Sequence, residues 1–259
     1  MNNKTAKQIV LSYRIKCVLV ALAYMLALAA LLYFMSVNSL FAIVGIVALA
    51  LSVRTPFEKL REKELESVIY ENLDPEKFAE IMALGVLKKS ERDQTLLYMS
   101  AGMHDELLKL AEEKSQKEPH PVDRCNNLYR LGFVYFERGE YEKLPQIVKR
   151  YEKLKSDNPK MAYVLGNFSV FEKYDAFADE DYEYVVDVCD IDLKENNTKK
   201  LNHKLTKINV SFYRAVSLYK LGKLNEARAG FEEIIAFAPK MYKAKLSQEF
   251  IELIDKSSF

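Results

Sequence analysis

His104, His120 and His203 are the chain's only histidines, so a zinc site or an imidazole general base would have to be built from them. Their separations of 16 and 83 residues put no second ligand at metal spacing. Cys17, Cys125 and Cys189 show no paired spacing either, and Cys17 opens an apolar run. That argues against a disulfide framework and for free thiols in a reducing compartment. The densest acidic stretch holds Asp179, Glu180, Asp181, Glu183, Asp187, Asp190 and Asp192. As a calcium loop it fails, because Asp190 to Glu195 puts Lys194 at the fifth ligand position and lacks the turn glycine. A solvated helix face accounts for it; the other reading is an acidic docking edge opposite Lys199, Lys200, Lys204 and Lys207. There is no glycine-rich phosphate loop, no nucleophile elbow and no Cys/His pair at a workable spacing. The expectation is a protein that is not an enzyme, with no cofactor and no metal.

The elements that carry these residues are helices. With 49% hydrophobic residues over 259, eight glycines, seven prolines and no long alternating Val/Ile/Thr segment, an all-α fold is expected. Charge is unevenly spread: Lys4, Lys7, Arg14 and Lys16 lie ahead of the first apolar run, and no acidic residue precedes Glu58. Setting those four aside leaves 34 basic against 37 acidic residues, which disfavours nucleic acid as a partner.

Cys17 to Met35 runs 19 residues without a charge, enough at helical rise to cross roughly 30 Å of hydrocarbon. After a polar break, Leu40 to Val53 forms a second apolar run ending at Arg54. This second run is at the short end for a span, and a re-entrant segment is its alternative. Residues 17–53 therefore read as a two-helix transmembrane hairpin contacting the lipid bilayer, preceded by a basic N-terminus, 1–16. Basic residues flank both outer ends and none lies between, so both termini are expected in the cytoplasm. A cleaved signal peptide is the rival, though its apolar region would be unusually long. The sequons at Asn167, Asn196 and Asn209 then read as chance matches.

Residues 54–89 read as amphipathic connector helices, with Thr55-Pro56 and Asp74-Pro75 as helix starts. Ser90 caps the next helix and Gly102 turns it. From Asn126 to Pro159 an apolar helix, a turn at Gly139 and a second amphipathic helix form a hairpin, with Gly132 where a partner helix would approach closely. On Leu128, Leu131, Gly132, Tyr135, Gly139 and Tyr141 this stretch resembles a tetratricopeptide repeat. Gly166 repeats Gly132 after 34 positions, with Ala162, Leu165 and Ser169 beside it and Tyr182 to Ile191 as the second helix. Ala215, Leu218, Gly222, Ala227, Phe231 and Pro239 lie at the same signature offsets, with Arg214 marking a kink or an ion pair to the acidic helix before it. The resemblance covers residues 90–259 and implies an α-solenoid of helical hairpins closed by a polar-faced C-terminal capping helix.

In that family the inner face of each repeat's first helix carries the ligand. The resemblance transfers this to Tyr129, Phe133 and Phe136; Tyr163, Asn167 and Val170; and Phe212, Val216 and Tyr219. Such a groove is aromatic and apolar, suited to an amphipathic helix or an extended apolar segment of a protein partner. The competing reading is that the chain's own helices cover these aromatics. The implied role is a membrane-anchored adaptor; the alternative is a structural subunit of a membrane complex, contacting a membrane-protein partner through the hairpin.

Overall fold

The computed structural model describes residues 4–34, 39–87, 90–115, 120–161, 164, 169–196, 198 and 201–257. The chain divides into two units, Met1–Lys89 and Ser90–Phe259. All regular structure among the described residues is helical.

The first unit begins with α1, Ala6–Phe34, a 29-residue helix free of Gly and Pro. It is followed by α2 (Ser39–Ser52), α3 (Arg54–Arg61), a π-helical turn at Glu62–Glu66, α4 (Ser67–Tyr70) and α5 (Pro75–Ala83). Two stretches, Ala6–Phe34 and Ser39–Tyr70, are long and apolar enough to cross a membrane. Their most apolar windows are 0% and 6% buried, which distinguishes them from the core helices of a soluble protein. The two lean on each other at Gly45, where an added Cβ would lie 2.7 Å from Leu31 Cδ2.

Thr55-Pro56 does not start a helix. Val53 is already helical (φ −59°, ψ −35°), and Pro56 sits within the continuing stretch. Proline has no N–H, so the Ser52 carbonyl four residues earlier loses its helical donor. The Tyr24 hydroxyl of α1 donates to that carbonyl instead, at 3.1 Å. Beyond this point the connector helices fold back on the start of α1. Ala6 and Val10 are buried in a small core with Leu65, Val68, Ile69, Phe78 and Ile81, and Lys16 pairs with Glu64.

In the second unit the helices are α6 (Glu91–Ala101), α7 (His104–Ser115), α8 (Pro121–Glu137), α9 (Leu144–Asp157), α10 (Val170–Ala178), α11 (Tyr182–Glu195), α12 (His203–Lys220), α13 (Leu224–Phe237) and α14 (Tyr242–Ser257). Each packs against its neighbour in the chain. Local chemistry sets their ends: the Ser90 hydroxyl accepts from the Asp93 N–H at 3.1 Å, and Gly102 and Gly139 turn the chain at φ +70° and +72°. Gly132 marks a close approach, since a Cβ there would meet the Tyr174 ring of α10 at 2.5 Å. Around it Phe136 makes edge contacts with Phe177 and Tyr213 at 4.8 and 4.5 Å, locking α8, α10 and α12 together. Arg214 resolves as the ion pair, 2.7 Å from Asp190 of α11. Ala162, Leu165 and Gly166 lie outside the described residues.

The last helix has a polar outer face, with Lys245, Gln248, Glu249 and Glu252 exposed, and its inner face does more than close one end of the unit. It returns to the beginning of the unit, where the Tyr242 ring sits edge-on to His104 at 5.2 Å and fills the space beside Gly102. The next residue, Lys243, is 2% exposed; its ammonium bonds Glu137 of α8 and lies 4.5 Å and 4.8 Å from the Phe133 and Phe212 rings. Phe250, two turns on, closes over Phe212 and Tyr219 at 6.1 and 5.3 Å.

Candidate functional site

The nine groove positions expected from the resemblance do not form one surface. Phe133, Phe136, Phe212 and Val216 are core residues, between 0% and 3% exposed, and Tyr219 is half-buried under Phe250. The physical reason is twofold: α14, an amphipathic C-terminal helix, covers Phe133, Phe212 and Tyr219, while Phe136 is enclosed by Phe177 and Tyr213. Tyr163 and Asn167 lie outside the described residues. Tyr129 and Val170 remain half-buried, and both line the same cleft.

That cleft, of about 290 Å³, is bounded by α8, α10, α11 and α12. Tyr129 comes from α8; Ser169, Val170 and Lys173 from the start of α10; Asp192 from α11. The α12 wall presents Thr206, Asn209, Val210 and Tyr213, positions one helical turn apart. Lys173 is 3% exposed, and its Nζ stands 2.6 Å from Asp192 Oδ2 and 3.5 Å from Ser169 Oγ. The buried side chain is thus paired with a carboxylate from the neighbouring helix. At the cleft's inner end the Tyr213 hydroxyl meets that of Tyr174 at 3.2 Å. Burial raises both phenols well above their usual range and also raises Tyr129, so all three remain protonated hydroxyls.

Sequence reasoning missed Lys173 and Asp192. Lys173 stands next to the apolar pair Phe171 and Tyr174 and looks solvent-facing in the sequence, while Asp192 is one carboxylate in a crowded run. The signal lay in neither alone, because their contact spans two helices. The acidic docking edge is correspondingly thinned: Asp190 is committed to Arg214 and Asp192 to Lys173, while Lys207 pairs with Glu233 at 2.8 Å.

A second polar cluster lies inside the unit. His104 Nε2 is 2.7 Å from Glu137 Oε2, and the other oxygen of Glu137 takes Lys243. All three are under a tenth exposed, so the cluster joins α7, α8 and α14 with each member paired. Burial pushes the Cys125 and Cys189 thiols up to about 12, leaving neither as a thiolate nucleophile near neutral pH. Among the described residues no three His, Cys, Asp or Glu side chains converge as a metal site.

The chain matches no protein-family model, no curated protein and no solved structure. Besides the cleft, α11 carries an exposed stripe: Tyr184 and Ile191, seven residues apart on one face, are 45% and 53% exposed, with Asp187 exposed between them.

Proposed function

We propose that this protein is a membrane-anchored adaptor, its helical hairpin holding a tetratricopeptide-like unit at the cytoplasmic face, where that unit binds another protein. The observation that carries the reading is a division of labour between the two units. One exposes two long apolar helices that water would not tolerate, and the other buries most of its aromatics and leaves a mixed apolar and acidic stripe on α11. Consecutive helical pairs, with glycines at the turns and at the α8–α10 crossing, support the repeat assignment. The basic residues outside both ends of the hairpin support the cytoplasmic orientation. Tethering raises the local concentration of the stripe for partners in the same membrane, so modest affinity suffices.

The partner contact is assigned to Tyr184, Asp187 and Ile191 rather than to the filled aromatic groove. A photo-crosslinking amino acid at position 184 or 191, in the full chain in native membranes, should capture one and the same protein, and Ile191→Glu should abolish that capture. Adducts formed only from hairpin positions such as 23 and 30 would replace the adaptor by the membrane-assembly reading, since Ala23 and Ala30 present small side chains on the exposed face of α1.

A further inference from the structure

We infer that the cleft beside Lys173 and Asp192 binds a small zwitterion of the α-amino acid class. Its size comes first: at about 290 Å³ it lies at the lower end of small-molecule sites, room for one compact molecule rather than a stretch of folded chain. Charge then narrows the class. Among the described residues the lining carries one ammonium and one carboxylate 2.6 Å apart, a sum of zero, so a ligand with net charge would be desolvated with no countercharge to meet it. An α-amino acid bears an ammonium and a carboxylate on the same carbon frame. Its carboxylate can take Lys173 while its ammonium takes Asp192, and the four charges alternate without the protein pair being pulled apart.

Lys173 is prepared for this. Among the described residues its ammonium, with three hydrogens, meets Asp192 and the distant Ser169 hydroxyl. Thr206 and Asn209, a turn apart on α12, add uncharged donors and acceptors for the remaining lone pairs of the ligand carboxylate. Val170, Val210 and the Tyr129 ring form the apolar part of the wall, which selects an uncharged aliphatic or aromatic side chain. This site stands independently of the adaptor reading, because the exposed α11 stripe plays no part in it.

The test is calorimetric titration of the full chain in detergent with L-leucine and L-phenylalanine, alongside N-acetyl-L-leucine, which lacks the ammonium, and L-leucinamide, which lacks the carboxylate. Saturable one-site binding of a free amino acid is expected, weakened about tenfold or more in both blocked compounds. Asn209→Leu should weaken it by a similar factor with the helical circular dichroism unchanged. That position is partly exposed and outside the Lys173–Asp192 pair, and so is safer than either of those residues. The inference is overturned if neither free amino acid saturates by about 1 mM. It is also overturned if N-acetyl-L-leucine binds as well as L-leucine, which would make the cleft a plain anion site. Failure of the photo-crosslinking leaves this result untouched, and failure of the titration leaves the adaptor standing.

Discussion

Lys243 illustrates what a charge inside a helical core requires. Its ammonium has a carboxylate on one side and two aromatic faces on the other, and Glu137 in turn has His104 as its second partner. Removing the carboxylate alone leaves a desolvated cation, so Glu137→Leu should cost about 3–5 kcal/mol. The double variant Glu137→Leu/Lys243→Met should recover most of that loss, measured by thermal unfolding of the detergent-solubilised chain. The thiols set an alkaline limit. Cys125 and Cys189 have ordinary values near 9 and are raised by burial to about 12, so the folded state holds its protons longer than the unfolded state. Their contribution is fully present below pH 9 and is lost as the pH rises toward 12. The melting temperature should therefore fall across that window, and less steeply in Cys125→Ala/Cys189→Ala. Glycine roles at 132 and 139 were legible in the sequence because each depends on a local pattern. The roles of Lys173 and Lys243 were not, since a lone lysine beside apolar neighbours does not reveal a partner on another helix, in the second case 106 residues away.

At the scale of elements, two glycines separate backbone cost from packing cost. Gly102 and Gly139 end their helices at nearly the same positive φ, but a Cβ at 139 would meet nothing within 4 Å, whereas at 102 it would lie 2.2 Å from the Tyr242 ring. Gly139→Ala should cost about 1 kcal/mol, the left-handed conformation alone. Gly102→Ala should cost about 3 kcal/mol, because the Cβ would also have to displace an aromatic ring packed against His104. Denaturant titration of both variants checks the difference. The starts of α5 and α6 were readable from Asp74-Pro75 and Ser90, since caps are decided within one turn. Thr55-Pro56 carried the same signature yet lies within a continuing helix. The Tyr24 hydroxyl supplies the donor that proline lacks, and only the position of α1 makes that substitution visible.

For the molecule as a whole, the course of α14 matters most. In a stack of repeats each unit leans only on its neighbours, and losing the last one trims stability by an increment. Here deletion of residues 242–259 would strip cover from Phe133 and Phe212 together and leave Glu137 without its cation. The truncated chain should lose its cooperative unfolding transition instead of melting a few degrees lower, as differential scanning calorimetry would report. For the same reason Phe133→Glu and Phe212→Glu report on folding, not on partner capture. Among the described residues the all-helical character of the fold was legible from periodicity and turn residues. The return of the chain's end to the unit's beginning was not, because hydrophobic pattern records which face of a helix is buried and says nothing of what covers it.

Placing the keystone at the C-terminus has a consequence for biosynthesis. The two long apolar helices precede the second unit in the chain, while the helix that completes that unit's core follows every helix it covers. Until then the nascent chain carries uncovered aromatic rings, a state that invites chaperone attendance. Only the emergence of α14 ends it.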